Sequence, residues 1–136
     1  MKSLSVRRLN VSDIDRVKSI YSESFGQSVS SINYNGECIY VACVNEEIAG
    51  LCMVNYIDDI FVSNRIAFIN NVCVSKKYRG LGIARFMLEE VEKILISDGV
   101  NEIMLTSSSK RVVANKLYKN LGFSIYDTNV FKKKLS

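Results

Sequence analysis

The sequence predicts an α/β domain of the α+β kind, with a mixed central sheet of about six or seven strands flanked by helices. Three observations predict it. Residues 38–74 hold successive apolar segments of β type separated only by polar turns, the pattern of antiparallel neighbours. Residues 72–106 then read strand, glycine turn, helix, strand, a crossover that makes the strands ending at Val74 and Thr106 parallel. Residues 110–121 add a further helix, and two short β-type pieces follow. A length of 136 residues suits one domain, spanning 1–136, with a genuine core.

Taken in order, residues 4–9 alternate weakly and read as a first strand. Ser12 is placed to cap a helix from Asp13 to about Phe25, with Asp13 and Asp15 at its positive end and Ile14, Val17, Ile20 and Tyr21 on one face. Residues 26–36 are rich in Ser and Asn and give no clear pattern. Residues 38–44 and 48–56 read as a hairpin across Asn45, Glu46 and Glu47. Asp58, Asp59, Ser63 and Asn64 break the chain before a strand over 66–74. The next helix carries Leu81, Ile83, Ala84, Met87, Leu88, Val91, Ile94 and Leu95 at helical spacing, pairs Glu89 with Lys93, and stops near Asp98 and Gly99. A strand over 102–106, the helix over 110–121 and a hairpin of 123–126 with 129–134 close the chain.

Composition removes several functions. There is no histidine, which excludes Ser-His-Asp and Cys-His catalysis. Cys38, Cys43, Cys52 and Cys73 form no C-x-x-C and sit in apolar segments, so they read as buried thiols and no metal site is expected. No apolar run is long enough to cross a bilayer and the first residues lack a signal-peptide core, so the expectation is a cytoplasmic protein without a membrane partner. The net charge of +4 is partly the run Lys132, Lys133, Lys134, which reads as a solvated tail. Without aromatic-interleaved basic helices, no nucleic-acid partner is expected.

Residues 72–85 read V-C-V-S-K-K-Y-R-G-L-G-I-A-R. Strand, glycine turn and helix together aim unpaired backbone N–H groups at an anion, and glycine removes the side chains that would hold it away. The pattern Arg79-x-x-Gly82-x-Ala84 resembles the R/Q-x-x-G-x-G/A motif of the GNAT superfamily of acyl-CoA-dependent N-acyltransferases. Downstream, Ala114, Leu117, Tyr118, Leu121, Gly122 and Phe123 match that superfamily's A-x-x-L-Y-x-x-L-G-F segment, so the resemblance covers residues 69–123.

The resemblance implies a GNAT-like fold in which the two parallel strands splay and acetyl-CoA, as co-substrate, lies between them. On it, the backbone from Gly80 through Leu81, Gly82, Ile83 and Ala84 to Arg85 meets the pyrophosphate, with Arg79, Arg85, Lys76 or Lys77 supplying charge. The main chain of Val72, Cys73 and Val74 pairs with the pantetheine arm as an added strand would. Tyr118 is the catalytic candidate, its phenol serving the leaving thiolate. Many relatives carry a carboxylate on the strand before the pantetheine segment. Here Asn70 and Asn71 stand there, lining the acceptor side together with residues 26–36, and an amide cannot take a proton. Arg111 replaces a frequent asparagine of the motif, and its role is left open. The implied activity is acetyl transfer to a primary amine of an unidentified acceptor by direct attack in a ternary complex. The alternative is a non-catalytic acyl-CoA sensor or partner subunit. A homodimer is left open.

Overall fold

The computed structural model describes residues 2–27, 29 and 39–136. The expected strand start at Cys38 and most of the 26–36 segment lie outside the described residues. The chain divides into two compact units, Met1–Thr106 and Ser107–Ser136.

The first unit holds a five-stranded sheet in the order β1 (Leu4–Arg8), β2 (Ile39–Val44), β3 (Glu47–Asp59), β4 (Asn64–Val74), β5 (Glu102–Leu105). Neighbours are antiparallel except β4 and β5, which are parallel. The connection from β1 to β2 carries α1 (Ile14–Phe25), and the crossover from β4 to β5 carries α2 (Ile83–Ser97). All six residues of β2 are buried, as expected of a central strand covered on both faces. One face packs Val41, Leu51 and Cys73 against Val17 and Ile20 of α1, with Met53 and Phe25 at the margin of that cluster. On the other face α2 buries Ile83, Met87, Leu88, Val91 and Leu95. No side chain caps the start of α2. Forgoing a cap costs about 1 kcal/mol, whereas each buried side chain contributes about 1.5–3 kcal/mol. Packing therefore holds α2 in place with its first N–H groups left open.

The first helix starts differently from the sequence expectation. Ser12 lies inside a short 3-10 turn, Val11–Asp13, instead of capping α1. Asp13 closes that turn, accepting the Asn10 N–H at 2.7 Å, and it holds Arg7 through two contacts of 2.6 and 3.1 Å. The Arg7 hydrogen bond, joined by the Asn10 N–H, holds the Asp13 carboxyl below its ordinary 3.8 against the opposing effect of burial. On α2, Glu89 pairs with Arg85 at 2.7 Å and Lys93 with Glu90 at 2.9 Å, so the expected Glu89–Lys93 pair does not form.

The second unit contains α3 (Val112–Asn120) and ends in a segment with neither helix nor strand. This corrects the expected closing hairpin and the count of six or seven strands: the described residues contain five. Ile125, Tyr126, Val130 and Phe131 are all exposed. A two-stranded hairpin is marginal without an apolar face to bury, and three successive lysines weaken it further.

Candidate active site

β4 carries the first half of the site. Its parallel pairing with β5 runs from Ile66 opposite Glu102 to Ile69 opposite Leu105 and stops there. Residues 70–74 continue to pair with β3 but have no strand on the β5 side among the described residues. The β4–β5 pairing therefore ends at Ile69, where β5 itself ends, and β4 runs on alone beside β3. Leu51 faces Cys73 and Met53 faces Asn70, so two steps along β3 answer three along β4, and β4 bulges by one residue. Asn71 sits in that bulge with φ 54°. Asparagine tolerates this left-handed conformation better than most residues, which gives Asn71 a backbone reason to be there. Its Nδ2 lies 4.0 Å from the Met53 sulfur. The Oδ1 of Asn70 is buried and accepts no hydrogen bond among the described residues.

The second half is the glycine turn. Ser75 follows β4, 2% exposed, donating its N–H to the Ala49 carbonyl at 2.7 Å and accepting from Arg16 at 3.1 Å. A short 3-10 turn, Lys76–Tyr78, follows. The buried Tyr78 donates its hydroxyl to Glu47, and Lys77 reaches the same carboxylate at 3.2 Å. These hydrogen bonds, that from Tyr78 first, lower the Glu47 pKa and raise those of both partners. The turn is thus tied to the start of β3 before the chain reaches Gly80 (φ 76°) and Gly82 (φ 78°). The first hydrogen bond of the new helix runs from the Phe86 N–H to the Gly82 carbonyl at 3.0 Å. Among the described residues, none of the backbone N–H groups from Gly80 to Arg85 donates a hydrogen bond, which leaves six consecutive donors. Six open donors at the positive end of a fifteen-residue helix form a cradle for an anion.

The basic residues expected to add charge are mostly engaged. Arg79 donates Nε to the Val74 carbonyl at 3.0 Å and a terminal nitrogen to Ser24 Oγ at 3.3 Å. It is therefore a strap between the end of β4 and the end of α1. Lys77 is held by Glu47 and Arg85 by Glu89. Among the described residues Lys76 forms no such contact and is exposed, so of these four it is the cation best able to move to a ligand. None of these long-range pairings has a sequence signal: Glu47 to Tyr78 spans 31 positions and Ser24 to Arg79 spans 55.

Val72 is half-buried, Cys73 buried and Val74 half-buried, and the side chain of Cys73 belongs to the core against α1. Burial pushes the Cys52 thiol up to about 12, so it is no nucleophile at neutral pH. Asp58 is paired with Arg65 at 3.2 Å and Glu102 accepts from Asn64 at 2.7 Å, both at the opposite end of β4 from the glycine turn. In the second unit, Tyr118 is 7% exposed and meets Phe123 edge-on, ring centroids 6.1 Å apart. Arg111 is exposed and precedes the first turn of α3.

Comparison with known proteins agrees with this architecture. The family model described as acetyltransferase (GNAT) family matches residues 9–123. Human N-acetyltransferase 8B is 28% identical over 88 residues, which are 65% of this chain and 39% of that protein. The chain thus spans about two fifths of the human relative's length. An uncharacterized N-acetyltransferase of Chlorobaculum tepidum is 23% identical over 134 residues, covering 96% of this chain and 80% of its own. The backbone also resembles that of an aminoglycoside acetyltransferase from an uncultured soil metagenomic sample. The TM-score is 0.81 at 16% identity, over 98% of this chain and 97% of the other.

Proposed function

The chain belongs to the acetyltransferase (GNAT) family, and from that premise we propose that it transfers an acetyl group from acetyl-CoA to a primary amine by direct attack in a ternary complex. Members of the family use acetyl-CoA as co-substrate. When bound, it supplies an acyl group already activated as a thioester. The observation that carries the reading is the set of six open N–H groups at Gly80–Arg85 next to the stretch of β4, residues 70–74, that runs past the end of its pairing with β5 among the described residues. A diphosphate fits the first and an amide-bearing arm fits the second.

The residues divide the work by chemistry. The N–H groups of Gly80, Leu81, Gly82, Ile83, Ala84 and Arg85 bind the diphosphate, and Lys76 adds a mobile positive charge. The main chain of Val72, Cys73 and Val74 orients the arm, its position fixed by pairing with β3 and by the Arg79 strap. Tyr118 holds the proton that the departing sulfur takes up, at a phenol oxygen whose ordinary pKa lies near 10. Asn70 and Asn71 border the acceptor.

A second reading, an acyl-CoA sensor without catalysis, is favoured by one observation: Asn70 and Asn71 carry amides where a proton acceptor is wanted. Thiol release from acetyl-CoA across a panel of primary amines separates the two. Release that depends on the amine supports the enzyme. Stabilisation by CoA with no release for any amine supports the sensor, and the absence of both removes the cofactor cleft altogether.

A further inference from the structure

We propose that Glu23, on the last turn of α1, is the carboxylate that meets the acceptor's ammonium group and takes its proton, with Asn70 holding a second N–H of the same nitrogen. The proposal rests on the acetyl-transfer reading and supplies the proton acceptor that β4 lacks.

Two oxygens in this region are buried and unserved. Among the described residues, Glu23 Oε2 and Asn70 Oδ1 accept no hydrogen bond. Both are acceptors, so a single group that satisfies them together must carry at least two N–H or O–H bonds, as an ammonium group does. A buried acceptor left empty costs stability, and such groups are rare in a folded chain unless a ligand or reaction needs them. Glu23 is the one carboxylate with such an oxygen among the described residues. Asp13 is held by Arg7, Glu47 by Tyr78 and Lys77, and Glu89 by Arg85.

The fold puts the two oxygens on one side of the sheet. Asn70 is the cross-strand partner of Met53, so their side chains leave the same face. Met53 packs against the cluster that also receives Ile20, and Glu23 follows Ile20 by three positions on the same side of α1. Ser24, between Glu23 and Phe25, is strapped by Arg79 to the Val74 carbonyl. The end of α1 is therefore fixed beside the part of β4 that has no β5 neighbour.

The step balances without a further reagent. An ammonium R–NH₃⁺ loses one N–H proton to the Glu23 carboxylate, giving R–NH₂ and a neutral carboxylic acid. The electron pair of that N–H bond stays on nitrogen as the nucleophilic lone pair. Asn70 Oδ1 accepts one of the remaining N–H bonds and fixes the direction of the lone pair.

The test uses the whole chain and two measurements. CoA-induced melting shifts are recorded for the wild type, Glu23→Gln and Asn70→Leu. Thiol release from acetyl-CoA is followed with spermidine, ethanolamine, kanamycin and lysinamide, and with O-methylhydroxylamine, which is uncharged at neutral pH. Glu23→Gln should keep the CoA shift and lose about 100-fold or more in kcat/KM for the best of the ammonium probes. Its loss with O-methylhydroxylamine should be under about tenfold, because no proton has to be removed before attack. Asn70→Leu should raise KM for the amine with the CoA shift kept. Equal losses with charged and uncharged probes, or a rate within about threefold of wild type, overturn the proposal. So does a CoA shift without thiol release for any probe, which leaves the cofactor cleft standing. An absent CoA shift in the wild type instead overturns the acetyl-transfer reading, and this proposal with it.

Discussion

Replacing Gly50 by alanine tests the physical frame of the site without touching any group assigned to chemistry. Gly50 lies on β3 opposite Val74, at the end of β4 that leads into the glycine turn. A Cβ there meets the Cys73 carbonyl oxygen at 3.0 Å, Val74 Cγ2 at 3.4 Å and Ile83 Cγ2 at 3.7 Å. The nearest atom is backbone and cannot swing aside, so the end of β4 must move by a few tenths of an ångström. Forcing a methyl into a packed interior costs about 1–3 kcal/mol. Alanine recovers about 0.4–1 kcal/mol by restricting the unfolded chain. The net loss is about 1–2 kcal/mol, or roughly 3–10 °C in melting temperature for a chain of this length. That carbonyl faces β3, but it belongs to the stretch of main chain proposed to hold the cofactor arm on its other side, so binding should weaken as well. Ligand at about 100 times its dissociation constant adds roughly 2.7 kcal/mol, and a tenfold weakening leaves roughly half of that. Thermal unfolding of wild type and Gly50→Ala, each with and without CoA, gives both quantities. A melting temperature equal to or above wild type with an unchanged CoA shift would refute the argument.

Gly82 poses the converse case: φ is 78° and a Cβ meets nothing within 4 Å, so the cost of Gly82→Ala is conformational, about 1–2 kcal/mol. Calorimetry should find weaker CoA binding and a lower melting temperature, and Gly82→Val should be worse on both counts; unchanged values would reduce the turn to a plain connection. Tyr118→Phe should lower kcat by about 100-fold or more with CoA affinity kept, whereas a purely structural tyrosine would lose melting temperature and keep its turnover. Asp13→Asn should cost about 2 kcal/mol, a figure kept low because the Arg7 side chain is 38% exposed. The Asp13 pKa is depressed by folding, so its contribution is fully present above 3.8 and disappears as the pH falls through the lower folded value. Melting curves between pH 7 and about pH 3 should show the wild type and Asp13→Asn converging at the acid end. A gap that stays constant over that range would contradict the assignment.

Much of the fold and part of the site are legible in residue order alone. The strands around Val41, Leu51 and Cys73 read as apolar β-type runs because buried strands need continuous apolar side chains. The helix from Ile83 is readable because burial on one face imposes a 3.6-residue period. The glycine turn is readable because left-handed backbone at positions 80 and 82 selects glycine over every other residue. Asn10 does not stand out as the start of the first helical turn, since Ser12 is equally good by type and only the Asp13–Arg7 contact decides between them. Short apolar pieces suggest a C-terminal hairpin, but two-residue alternation does not by itself bury a strand.

The sequence by itself determined the strands and helices up to α3, the parallel crossover, the glycine turn and the family. Each of these is written in local pattern, in residue type at fixed spacing. Tertiary structure alone decided where the β4–β5 pairing ends, which cations are already engaged, and that among the described residues Glu23 and Asn70 carry buried oxygens without a partner. The reason is physical. Strand register, ion pairing and burial of a single atom depend on residues far apart in the chain, and no local pattern encodes which of many distant partners will be met.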